Sequence, residues 1–113
     1  MGFYKNKNVL ITGAAGITGH AAIRRLLDEG AYVRAVEFKN RKVKLQHDNL
    51  EIVRHDLMQH NECMSALKDI DICLNFVAYI RGAKGQIDPK NYLDLVRRNF
   101  IPSINMFDAA VRT

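Results

Sequence analysis

The chain has 113 residues, 48% of them hydrophobic and 26% charged, with a formal net charge of +5. Those proportions describe one globular domain, exclude wholesale disorder, and include no apolar run near the roughly 18–20 residues that cross a bilayer. Cys63 and Cys73 make no disulfide framework, and the apolar run Val9-Leu10-Ile11 behind Lys5 and Lys7 is too short for a secretory signal, so a reducing, cytoplasmic setting is expected.

Short apolar runs alternate with helical stretches, the pattern of βαβ units and a parallel sheet. The first strand is expected at Asn8–Thr12, where continuous apolar character suits burial on both faces. A glycine loop follows, then a helix over residues 17–29. Gly16, Gly19, Ile23, Leu26, Leu27 and Gly30 fall on one helical stripe, and Gly30 suits the C-terminal cap.

The second strand is expected at Tyr32–Glu37, followed by a polar, basic stretch over 39–49 and a third strand over 51–55. Residues 61–68 read as a short helix, and 71–77 as a fourth strand interrupted by Asn75. Gly82, Gly85 and Pro89 mark a loop. A long helix then begins near Tyr92, with Leu93, Val96, Phe100, Ile104, Phe107 and Val111 forming one apolar stripe. Pro102 inside it removes a backbone donor and predicts a kink or a break.

The segment Thr12-Gly13-Ala14-Ala15-Gly16-Ile17-Thr18-Gly19 lies between a strand and a helix. The tight turn suits Gly13, close approach of a pyrophosphate suits Gly16, and close helix–sheet packing suits Gly19. Amides at the helix start, with the helix dipole, would face the phosphates. The spacing is GxxGxxG rather than GxGxxG, and His20 after Gly19 excludes a Walker A loop. Glu37 ends the second strand 18 residues after Gly19, where a carboxylate can accept bonds from the adenosine ribose and favours NAD. Lys39, Arg41 and Lys42 nearby could attract a 2′-phosphate instead, so NADP stays open. The basic clusters at Arg24-Arg25, residues 39–44 and Arg97-Arg98 lack interleaved aromatics, which disfavours nucleic acid as a partner.

The loop TGAAGITG resembles the TGxxGxxG loop of short-chain dehydrogenases/reductases, and most of all the extended branch of NAD-dependent epimerases and dehydratases acting on nucleotide sugars. The resemblance implies an α/β, Rossmann-like doubly wound parallel sheet, incomplete, with about four strands in the order 3-2-1-4. It implies cofactor contacts from Gly13, Ala15, Gly16, Ile17, Thr18 and Gly19. It also implies adenine contacts from Asp56 and Leu57, although Asp56 would serve equally as a turn cap. Asn75-Phe76-Val77-Ala78 resembles the family's short Ala-containing motif beside the cofactor ribose, placing Val77 and Ala78 there. Asn99, followed by Asn105-Met106-Phe107-Asp108-Ala109-Ala110, resembles the family's Asn-led helix ending in paired alanines. Pro102-Ser103 departs from the Gly-Thr often found there.

The family's acid–base pair is a Tyr with a Lys four residues later. Here Tyr79 and Lys84 are five apart, and Tyr4, Tyr32 and Tyr92 lack a partner Lys. The chain therefore reads as the front part of a NAD-dependent nucleotide-sugar epimerase/dehydratase-like oxidoreductase, cut before its catalytic residues. Alone it is expected to be inactive, to hold dinucleotide weakly or not at all, and to leave its fourth strand as an apolar edge around Cys73, Leu74 and Phe76. In the parent the resemblance implies a nucleotide-sugar substrate and allows a homodimer. A non-catalytic NAD(P)-binding sensor of the same fold is the alternative, and a basic nucleic-acid-binding module a more distant one.

Overall fold

The computed structural model describes residues 2–38, 41–77 and 89–113, with 89–91 described by backbone only. The elements are β1 (Asn8–Thr12), α1 (Ile17–Asp28), β2 (Tyr32–Glu37), β3 (Leu50–Arg54), α2 (His60–Ala66), β4 (Ile72–Asn75) and α3 (Pro89–Arg112). The four strands form one parallel sheet in the order β3-β2-β1-β4, as expected from the sequence. The third and fourth strands and the short helix begin or end one or two residues away from their expected bounds.

Strand side chains alternate between faces, and the core divides accordingly. Val9 and Ile11 of β1, with Val33 and Ala35 of β2, meet Ile23 and Leu26 of α1. Leu10 and Val36 point the other way and meet Cys63 and Ala66 of α2 and Met106 and Ala109 of α3. β1 is covered on both sides, so its apolar run is continuous rather than alternating. Arg34 lies on the α2 side of β2. Its Nη1 donates to the carbonyls of Ala66 and Lys68, each at 2.8 Å, so a cation caps the C-terminal end of α2.

α1 stops where Gly30 turns the chain. Gly30 takes φ +85°, its amide donates to Leu27 and that of Ala31 donates to Leu26. That pair of bonds is a Schellman motif, available cheaply only to a residue without a Cβ.

One expectation about the last helix is corrected. Pro102 causes no break: α3 continues through it, and Pro102 is buried. The helix is held just after the proline, through Ser103 by Asn75 and through Asn105 by the 57–58 turn. The large apolar stripe faces away from the core. Phe100 is 62% exposed and Phe107 68%, and Leu93, Val96, Ile104 and Val111 are exposed with them. α3 instead turns Met106 and Ala109 inward against α2 and the sheet.

β4 is an edge strand among the described residues. Cys73 and Leu74 are half-buried and Phe76 just beyond them is exposed. Both thiols are chemically quiet. Burial, aided by Glu62 and Asp56, pushes Cys63 up to about 11, and burial alone pushes Cys73 up to about 11. Neither is a thiolate at neutral pH, so neither acts as a nucleophile there.

Candidate cofactor site

The glycine loop leaves β1 at the carboxyl end of the sheet, beside β4. The strand order reverses there, which is where open α/β sheets bind ligands. Gly13 takes φ +62°. A Cβ built on it would lie 2.4 Å from the Phe76 carbonyl oxygen, so the turn passes against the β4 exit with no room for a side chain. Gly19 is buried and equally constrained, since its Cβ would stand 2.5 Å from the Gly13 oxygen. These two glycines make the loop.

Gly16 differs. It is the N-cap of α1, with φ −83° and ψ 174°, backbone any residue can adopt. A Cβ there would find its nearest protein atom at 3.6 Å. No side chain caps the helix, and the first backbone bond into it is His20 N–H to the Gly16 oxygen, at 2.9 Å. The amides of Ile17, Thr18 and Gly19 therefore have no partner within the described residues, as at any uncapped helix start. The loop thus presents unpaired donors, a favourable dipole and open space over Gly16. These features fit a pyrophosphate, and Ile17, 93% exposed, stands at the rim as an apolar contact.

His20 braces this loop. Its Nδ1 donates to the Gly16 oxygen at 3.0 Å, and its Nε2 accepts the Lys44 amide at 3.2 Å, an arrangement that places the ring proton on Nδ1. Sequence spacing gave no signal for this role, because the bond spans from α1 to the segment after β2.

Glu37 is buried, not an ordinary exposed charge. Its Oε2 accepts the Val43 amide at 2.9 Å, while Oε1 lies 3.3 Å from Arg54 Nε and 3.8 Å from Lys42 Nζ. Asp56 caps a turn: its Oδ1 accepts the Met58 amide at 3.0 Å, and its own amide donates to Glu62 at 2.8 Å. Leu57 is buried, and its carbonyl accepts bonds from Asn105 Nδ2 at 3.0 Å and from Cys63 Sγ. Asn105 also reaches the Met58 oxygen at 3.1 Å, so α3 clamps the 56–58 turn at the edge of the site.

Across the switch point, the Thr12 hydroxyl bonds Asn75 Oδ1, and Asn75 Nδ2 donates to Ser103 Oγ at 3.2 Å. β1, β4 and α3 are thereby tied together, and Ser103 packs well despite its unusual Pro102 neighbour. Asn99 lies one turn before Ser103 and donates back to the Leu95 oxygen at 2.8 Å. Val77 packs against the α2–α3 core. Ala78, Tyr79, Lys84 and Lys39 lie outside the described residues.

A parallel sheet with a glycine turn opening a helix at its switch point defines a dinucleotide-binding α/β domain. The family model of the NAD dependent epimerase/dehydratase family matches residues 9–113, and the chain belongs to that family, with NAD(P) as its cofactor. It is 42% identical over 62 residues to the short chain dehydrogenase andC of Emericella variicolor, covering 54% of this chain and 25% of that one. It is 31% identical over 107 residues to GDP-mannose 3,5-epimerase 1 of Oryza sativa subsp. indica, covering 90% of this chain and 27% of that one. The X-ray structure of Pen from Bacillus thuringiensis superimposes with a TM-score of 0.83 at 23% identity, over 97% of this chain and 35% of that chain. The chain thus spans about a quarter of the length of these curated relatives.

Proposed function

We propose that this chain is the cofactor-binding part of a NAD-dependent, cytoplasmic oxidoreductase of the epimerase/dehydratase kind, acting on a nucleotide sugar. The observation that carries the cofactor reading is Gly16: neither the chain's own contacts nor its backbone angles require glycine there, whereas an approaching diphosphate does. The sugar-nucleotide class is supported by the likeness to GDP-mannose 3,5-epimerase along nine-tenths of the chain. When bound, the nicotinamide supplies hydride chemistry. The chain's residues grip the diphosphate through the Ile17–Gly19 amides, brace the loop through His20, and fix the adenine edge through Asp56, Leu57 and Asn105. Val77 is assigned to the cofactor ribose, and Asn99 to the same cofactor site. Equilibrium titration of the purified chain with NADH, followed by cofactor fluorescence, tests the reading. Saturable binding is expected; its absence overturns it.

The apolar stripe of α3 supports a homodimer. Antiparallel pairing of two such helices about Pro102 sets Arg97 and Arg112 of one copy near Asp108 and Asp94 of the other, whereas parallel pairing opposes like charges. Replacing Phe100 and Phe107 together by Glu is expected to shift a dimer to monomer in sedimentation velocity. An unchanged distribution would contradict the pairing.

A further inference from the structure

The Gly16 carbonyl at the start of α1 accepts two bonds from one residue. The His20 amide donates at 2.9 Å, and the His20 ring donates through Nδ1 at 3.0 Å. That carbonyl shares a planar trans peptide with the Ile17 amide, and in such a peptide C=O and N–H point opposite ways. The ring therefore lies behind the peptide and turns the Ile17 N–H away from itself. The other ring nitrogen, Nε2, accepts the Lys44 amide at 3.2 Å. Lys44 belongs to residues 42–47, which form no regular element, and the amide before it, Val43, is held by Glu37 at 2.9 Å. Two successive amides of this segment thus hang on side chains delivered by α1 and by β2.

Both ring bonds coexist only in the neutral imidazole with its proton on Nδ1. A proton on Nε2 would set one N–H against another. The surroundings offer the imidazolium no counter-charge. Arg24 stands one turn on along α1, and Lys42 and Lys44 come from the segment after β2. Glu37, on the β2 side, is engaged by the Val43 amide, Arg54 and Lys42. The loop over 13–19 carries no charged side chain, and no carboxylate among the described residues pairs with His20.

Resting on the dinucleotide reading above, we propose that His20 is a positioning residue that makes cofactor affinity depend on pH. The neutral ring fastens the glycine loop to the segment after β2, and the protonated ring lets go. On the alkaline side of imidazole titration both bonds stand and the Ile17 amide is aimed. As the pH falls, the Lys44 bond is lost and the ring leaves its cationic neighbours for water. The Gly16–Ile17 peptide is then free to rotate away from the diphosphate. The ring lies on the far side of that peptide from the Ile17 N–H, so its new charge does not meet the ligand and offset the loss.

Calorimetric titration of the full 113-residue chain with NAD, from about pH 8 to about pH 5.5, spans imidazole titration and tests this. Affinity is expected to fall on the order of threefold to tenfold toward acid, the worth of one net hydrogen bond. His20→Asn keeps a neutral donor near the Nδ1 position and has nothing to titrate, so its profile is expected to be flat. His55, 3.6 Å from Glu62, is present in both proteins, so the difference between the two profiles belongs to His20. If the Asn variant folds poorly, amide-resolved nuclear magnetic resonance of the free, unsubstituted chain gives a second reading. The Ile17 and Lys44 amides are expected to move together with the His20 ring as the pH is lowered. A flat profile in the unsubstituted chain, a slope that His20→Asn retains, or amides that stay still while the ring titrates overturns this inference alone. Failure to bind NAD at any pH overturns the cofactor reading together with it.

Discussion

Replacing Gly13 by alanine is expected to lower the melting temperature by roughly 10–15 °C, corresponding to about 3 kcal/mol. Two causes add. The backbone holds φ at +62°, where an L side chain is strained, and the new Cβ would meet the Phe76 carbonyl carbon and oxygen at 2.6 and 2.4 Å. Those atoms are backbone at the end of β4, which the Thr12–Asn75–Ser103 bonds tie to β1 and α3. Relief would require moving the strand exit, not a flexible side-chain tip. Thermal unfolding followed by circular dichroism checks this. A shift of only a degree or two would mean that the turn relaxes easily.

Gly16→Ala is expected to do the opposite: keep the fold and lose the cofactor. Its dihedral angles suit any residue, and its Cβ lies in ordinary contact at 3.6 Å from the Gly13 oxygen. The stability cost is that of a poorer helix N-cap, about 0.5–1 kcal/mol. A methyl group over the helix start would hold the diphosphate away from the Ile17, Thr18 and Gly19 amides, so NADH affinity is expected to fall more than tenfold. Thermal melts and NADH titration of the same preparation separate the two effects. A variant that melts normally and binds normally would remove the ligand explanation for this glycine.

The contrast between these glycines shows what the sequence makes legible. Strand–loop–helix context identified the loop, and alternating apolar runs identified the parallel sheet, because both depend on local spacing; the strand order followed from the family resemblance. The roles within the loop needed coordinates. Gly13 and Gly19 are demanded by atoms of Phe76, Gly13 and Ala14, and only Gly16 is left for the ligand. Long-range contacts were the least legible. His20 meets Lys44, Arg54 meets Glu37, and Asn105 meets Leu57 through the fold rather than along the chain.

The last helix shows a different failure. Its periodicity correctly marked an amphipathic face, but periodicity does not say which partner that face meets. Met106 and Ala109 are the residues that meet α2 and the sheet, while Phe100, Ile104 and Phe107 point outward. Pro102 was read, from its own chemistry, as a kink or a break, and the break is absent. Anchoring of Ser103 and Asn105 keeps the helix continuous through it.

The central claim is that the amides at the start of α1 grip the diphosphate of a nicotinamide dinucleotide. Amide-resolved nuclear magnetic resonance, recorded as the chain is titrated with NADH, tests it most directly. The claim predicts that the largest shifts fall on Ala15, Gly16, Ile17, Thr18 and Gly19, with smaller ones at Asp56 and Leu57. Saturating shifts confined to other parts of the chain, with these amides unmoved, would contradict it.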